Sequence, residues 1–254
     1  MTAINRALPS GRSQSNCLGQ RECQQAHASR VVVGGGCADR SAWRSAGKAA
    51  WMIALFFEVT PKPGEDESYL RIAAALRPDL DASGGLDYLE RFRSQARPRT
   101  LLSHQIWRDE ASLTRWRIQS RHHQAQCAGR DRVFADYRLR VAAVVASRND
   151  AGGIDRSVIA APYNDPALQP ERYVLVVRSR ETPVSLPGGE LWTSVYAQNS
   201  FACVADVAGL EAGLDLLGDV EAHACVSAAH LCLVSRDYGM FDRREAPQYF
   251  PEKT

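Results

Sequence analysis

The hydrophobic period of this chain changes twice between residues 101 and 145, and few folds tolerate that succession. Leu101, Leu102, Ile106 and Trp107 bound a short extended run over 101–107, too short for a helix of ordinary length. Asp109 then stands where a side-chain oxygen can take the free N–H groups of a new helix, and Glu110 adds negative charge to its first turn. Leu113 and Trp116 recur at helical spacing. A polar tract ending in His122, His123 and Gln126 follows, and Ala128-Gly129-Arg130 reads as a stop. Beyond it Tyr137, Leu139, Val141, Ala143 and Val145 alternate with Arg138 and Arg140, the period of two of a half-buried strand. Strand, helix and strand in that order commit the segment to a mixed sheet-and-helix layer.

The preceding stretch has the same grammar. Residues 53–59 form a short apolar strand that Pro61, Pro63 and Gly64 end. Glu65, Asp66 and Glu67 suit a first helical turn, and Tyr69, Ile72, Ala73 and Leu76 then make one buried stripe that Pro78 stops. A turn over 81–85 leads to a strand over 86–93, with Tyr88 on the face of Leu86, and Arg97-Pro98-Arg99 turns the chain into the strand at 101. The order β-α-β-β-α-β is the ferredoxin-like α+β arrangement, placed at 52–148. Residues 149–170 have linker composition. Past them, strands are expected at 173–177, 191–197 and 230–234, with a helix begun by Asp206 and carrying Val207, Leu210, Leu214 and Leu217. Setting Asp109 on Asp206 puts Leu113 on Leu210. Residues 171–245 therefore read as a reduced second copy that has lost the first helix and the strand after it, with a tail over 246–254. A lone four-stranded sheet leaves a face and its edges uncovered. Sheet-to-sheet pairing, within this chain or in a homodimer, would cover them.

Composition narrows the function. Residues 1–51 hold seven basic residues against Glu22 and Asp39, a net of +5, which leaves the rest of the chain at −3 within an overall +2. The body has no claim on nucleic acid, and no apolar run approaches the roughly 20 residues that cross a bilayer. The first 51 residues lack a hydrophobic period and are expected to be disordered, or to be a non-native extension ahead of a start at Met52. Seven cysteines, an odd number without a CxxC pair, fit reduced thiols in a cytoplasm. Cys17, Cys23, His27 and Cys37 match no metal-ligand spacing.

Trp107, Trp116, His122, Gln126, Gly129-Arg130, Tyr137 and Arg140-Val141-Ala142 spell W-x8-W-x5-H-x3-Q-x2-GR and Y-x2-RVA. This pattern resembles the antibiotic biosynthesis monooxygenase family of small dimeric α+β barrels. The resemblance implies oxygen insertion into a small phenol or polyketide-like ring, with dioxygen as partner and no flavin or metal cofactor. A deprotonated substrate can itself reduce dioxygen, so such a site must supply a base, donors to an oxyanion and shelter from water. The resemblance implies that Trp107 lines a pocket and it picks His122, the two expected catalytic residues. Because Trp107 leaves its strand where Trp116 and the histidine tract return over it, the pocket is expected to be lined by Trp107, Trp116, Tyr88 and His122, with His104 as an outside candidate. Plainer roles stand next to these. Large aromatics at strand ends usually fill space, His104 reads as a satisfied buried histidine, and Tyr88 as a half-buried strand residue. On an unbroken helix His123, not His122, shares the face of Trp116. Two further readings remain. Haem-degrading relatives resemble an Asn-Trp-His set, but no asparagine occurs between Asn16 and Asn149, and the first strand offers Phe57 and Glu58. A non-catalytic binding or assembly module is the other, since fold does not dictate function.

Overall fold

In a computed structural model the described residues are 52–148, 153–157, 171–221 and 223–246. The expectations for residues 1–51, including Cys17, Cys23, His27 and Cys37, lie outside them, as does nearly all of the tail.

The first half runs β1 (Ile53–Pro61), α1 (Asp66–Ala75), α2 (Arg77–Ser83), β2 (Leu86–Ser94), β3 (Leu101–Trp107), α3 (Glu110–Arg117), α4 (Ser120–Ala128), a π-helical turn (Gly129–Val133) and β4 (Phe134–Arg148). After β5 (Ile154–Arg156) come β6 (Tyr173–Arg180), β7 (Glu190–Ser194), β8 (Ser200–Val207), α5 (Leu210–Glu221) and β9 (Val226–Gly239). Eight strands close a ring in the order β1-β3-β2-β7-β8-β6-β9-β4 and back to β1, with β5 added on β4. Every pairing is antiparallel. The order β4-β1-β3-β2 of the first half is matched by β9-β6-β8-β7 in the second. The halves meet along a short seam, Phe92↔Ser194 to Ser94↔Trp192, and a long one, Arg138↔Gly239 to Ser147↔His230.

Alternation along the strands sorts the core into layers. Phe56, Phe92, Leu102, Ile106, Val176 and Trp192 fill the barrel. Ile53, Leu55, Trp107, Leu113 and Trp116 pack between the outer face of the first half and its helices. Leu175, Leu214, Leu217, Val220 and Leu231 bind α5 to the outer face of the second half. Inside the barrel Arg140, whose side chain is 5% exposed, bonds Glu58 at 2.9 Å and Asp206 at 2.7 Å.

Several sequence expectations need correction. Pro78 does not leave a turn behind it. It sits in the first turn of α2, where a missing N–H costs nothing, and the helix runs on through Asp81 to Ser83. Leu86 and Tyr88 face opposite sides, because the register against β3 slips between them and Tyr88 turns into the barrel. The linker contains β5. A strand expected to be lost between 177 and the helix of the second half is present as β7. Asp206 and Val207 end β8 and α5 starts at Leu210, so Asp206 does not begin the helix and the expected alignment of Asp109 with Asp206 does not hold. Finally β9 runs on to Gly239, past the polar Ser235-Arg236-Asp237, because those residues pair along β4.

Candidate functional site

The outer face of β3 carries Leu101, Ser103, Gln105 and Trp107, while Leu102, His104 and Ile106 face the barrel. Above that outer face the helices enclose a cavity of about 190 Å³. Its apolar wall includes Leu55, Phe57, Leu76, Leu80, Leu113 and Trp116, and its polar wall includes Ser103, Gln105, His122 and Gln126. Tyr137 of β4, Arg236 and Tyr238 of β9, and Arg243 also line it.

His122 reaches this wall through a helix break. Helix α3 ends at Arg117, and α4 restarts after Gln119, whose side-chain Oε1 accepts the His122 backbone N–H at 2.7 Å. The break turns His122 onto Trp116, with ring centroids 4.2 Å apart and planes 14° from parallel. The Trp116 carbonyl accepts from His122 Nδ1 at 3.0 Å, which leaves the Nε2 lone pair open to a proton. Burial pushes the imidazole down to about 4, against the bond to Trp116. The unperturbed value near 6.5 expected of a base is therefore not what this fold provides. An uncapped, unbroken helix is what the sequence suggests, because glutamine is a poor N-cap residue and nothing else marks the restart.

Trp107 does not line the cavity. It is 0% exposed, and its Nε1 donates to Gln105 Oε1 at 2.9 Å. Gln105 Nε2 in turn donates to Ser103 Oγ at 3.2 Å. The indole N–H is thus engaged, and the side chains it holds, Gln105 and Ser103, are those on the wall. Tyr88 and His104 lie across the sheet, inside the barrel. The Tyr88 hydroxyl donates to Glu90 at 2.6 Å under the Arg178 guanidinium, and burial raises its pKa. His104 stacks on Phe56 with centroids 4.8 Å apart, donates from Nδ1 to the Leu55 carbonyl at 3.3 Å, and is held well below its ordinary pKa by burial. So Trp116 and His122 are brought together, Trp107 stands behind them, and Tyr88 and His104 belong to another compartment.

The wall also holds Arg91, Arg117, Arg130, Arg236 and Arg243, and among its described lining residues there is no aspartate or glutamate. Sequence reading gave none of the five a place in the site, although Arg130 stands in the quoted motif. Arg236 and Arg243 both lie past 234, where the last expected strand ends. Among the described residues no group of three or more His, Cys, Asp or Glu is placed to hold a metal ion, and no helix is long and apolar enough to cross a membrane.

Residues 52–128 match the family model described as antibiotic biosynthesis monooxygenase. The chain is 35% identical over 218 residues to a protein of Pyricularia oryzae named jasmonate monooxygenase ABM, covering 79% of this chain and 99% of that protein. Among solved structures, an anthrone oxidase-like protein aligns with 13% identity over 79% of this chain and 98% of its own, at a TM-score of 0.34. A protein of Fusobacterium nucleatum described as a putative monooxygenase aligns with 10% identity over 74% of this chain and 94% of its own, at a TM-score of 0.37.

Proposed function

The chain belongs to the antibiotic biosynthesis monooxygenase family, and from that membership we propose that it oxygenates a small, electron-rich, largely apolar molecule bound between the first-half sheet and α1–α4. One observation carries the reading: a neutral, half-buried imidazole on the wall of a cavity lined mainly by aromatic, aliphatic and guanidinium groups. A substrate methylene beside an aromatic ring gives up a proton, and the carbanion reduces dioxygen. One oxygen atom ends as a carbonyl and the other leaves as water, all four electrons coming from the substrate. The protein must take the proton, hold the anion and exclude water.

His122 Nε2 takes the proton in this reading. A group held near 4 is a weak base, so the substrate must itself be made more acidic. Cations close to a developing anion do that, and the wall is rich in arginine. Gln105 and Ser103 orient the substrate, with Trp107 acting through Gln105, and Trp116 stacks on the base. No flavin or metal enters this scheme, because the substrate is the reductant. A jasmonate-like substrate is a second reading, favoured by the relative that this chain matches over 99% of its length. Hydroxylating a saturated carbon would draw two electrons from an external donor such as NADPH.

The second four strands with α5 are, in this proposal, a reduced copy (171–245) of the first domain (52–148). The shared strand order supports it. The four described cysteines are free, which supports a reducing compartment such as the cytoplasm.

The test is aerobic incubation with anthrones, polyphenols and jasmonate, with and without NADPH, under isotopically labelled dioxygen, with haemin titrated in parallel. One labelled atom in a product, lost in His122→Ala, is expected. Haemin binding with a Soret shift and no labelled product would replace this reading with haem chemistry.

A further inference from the structure

We propose that Arg91 and Ser103, paired across β2 and β3, receive the anionic oxygen of the bound molecule, with Trp107 and Gln105 behind Ser103 making its hydroxyl a donor. The inference rests on the reading just given, in which the cavity holds a substrate that becomes an anion.

The sense of the hydrogen-bond chain is set at its far end. An indole N–H can only donate, so the buried Trp107 draws the oxygen of the Gln105 amide toward itself, at 2.9 Å. The amide nitrogen is the end left for Ser103. It too can only donate, so Ser103 Oγ accepts from it at 3.2 Å. Ser103 keeps its own proton to give. The residue is 1% exposed, and among the described residues its side chain has no second partner. A buried donor without an acceptor is costly. Ser103 lines the cavity, and an oxygen of a bound molecule would complete the chain.

Arg91 supplies the charge. It stands opposite Ser103 on one side, as Phe57 does on the other, and residues so paired have Cβ atoms about 4.5–5.5 Å apart on one face of the sheet. All three line the cavity. The Arg91 guanidinium lies 5.9 Å from the Tyr69 ring centroid. Burial pulls its pKa down, while the Tyr69 and Tyr196 phenols pull it up further. Its Nε is buried with no hydrogen-bond partner, and among the described residues no carboxylate is paired with it. Phenols can take its hydrogens without answering its charge. An anionic oxygen does both, through charge-assisted bonds roughly twice as strong as neutral ones. The same placement helps the proton transfer. A cation within about 4–6 Å lowers the pKa of an acid by about 1–3 units, which brings the substrate closer to a base held near 4.

The ionisation of a bound phenol tests this, in nitrogen-purged buffer so that no turnover intervenes. Naphthol is titrated with base, free and bound, and its phenolate is followed by absorbance at wavelengths where the protein is transparent. Methoxynaphthalene, which cannot ionise, reports on the rest of the cavity. Bound naphthol is expected to ionise about 1–3 pH units below the free phenol, the range for an acid beside a guanidinium. Arg91→Gln should remove most of that shift and Arg91→Lys should keep most of it, with the methyl ether bound equally by all three proteins. Ser103→Ala should reduce the shift, and it decides alone if Arg91→Gln does not fold. Bound naphthol that ionises no lower than free naphthol would overturn the proposal. So would a shift left intact by either Arg91→Gln or Ser103→Ala, and labelled product formed under dioxygen in that case would leave the oxygenase reading standing. A shift that behaves as expected, with no labelled product from any substrate, would sink the oxygenase reading and keep this one.

Discussion

His122 is uncharged throughout the neutral range, since burial against Trp116 holds it near 4. Its protonated form cannot accept a proton, so activity should vanish as pH falls through about 4 and stay level from about 5 to 8. A kcat/KM profile checks this. An acid limb near 6.5 would assign the base to another group, and His122→Ala should remove the limb near 4 while His123→Ala keeps it. Trp107 acts at one remove. Trp107→Phe leaves the buried Gln105 oxygen without its donor, a loss of about 1–3 kcal/mol, which denaturant titration reads directly. Because Gln105 then loses its orientation, kcat should fall with little change in KM. A change in stability with kinetics intact would make Trp107 a core residue only. The spacing W-x8-W-x5-H was enough to single out His122, but not to explain it: the reason lies in the break at Ile118-Gln119, which no proline or glycine announces. Tyr88 was misplaced for the opposite reason, because one extra residue in β2 reverses every face beyond it.

At the scale of elements, the π-helical turn after α4 sets the angle at which β4 enters the sheet. Gly129 makes the turn possible: a Cβ there would sit 2.5 Å from Phe134 Cε2. That ring cannot retreat, since it packs edge-on to Phe57 and Tyr69. Gly129→Ala is expected to cost about 1–3 kcal/mol and to disturb the cavity, because Phe134, Tyr69 and Arg130 all line it. A melting scan and ligand titration test this together. An unchanged melting temperature would show that the aromatic cluster yields. β1, α1, β2, β3 and α3 were legible because their hydrophobic periods are clean, whereas α2 was read as a turn. β9 was read as five residues and has fourteen. Its polar half is satisfied by the neighbouring strand, for instance by Arg138 bonding Asp237 at 2.6 Å, and such long-range pairing leaves no local trace. That lost half carries Arg236 and Tyr238, so the missing strand end and the missing part of the site are one omission.

Over the described residues, desolvation keeps three histidines neutral: His122, half-buried, and His230 near 4, and the fully buried His104 well below its ordinary value. Each has a folded pKa below its unfolded value of about 6.5, so the unfolded chain binds more protons between these limits. Stability should be full above about 6.5 and fall as pH drops toward 4, by about 1.4 kcal/mol per pH unit for each histidine. Denaturant titrations at pH 7, 6 and 5 measure the slope. His230→Asn can keep a partner for Ser147, which His230 meets at 2.8 Å, and should remove one histidine's share; an unaltered slope would show that His230 does not titrate on unfolding. The ring closes within one chain through β2–β7 and β4–β9, so its two seams meet at an effective concentration that dilution does not alter. The melting temperature should accordingly hold steady over a hundredfold dilution, whereas a fall would reveal a required second copy. In a ring of two identical subunits each substitution appears twice, related by the symmetry axis. Here it appears once. Arginines can accumulate on the side that faces one cavity while α5 is sealed against the other face by leucines, and selection is spared any compromise between the two.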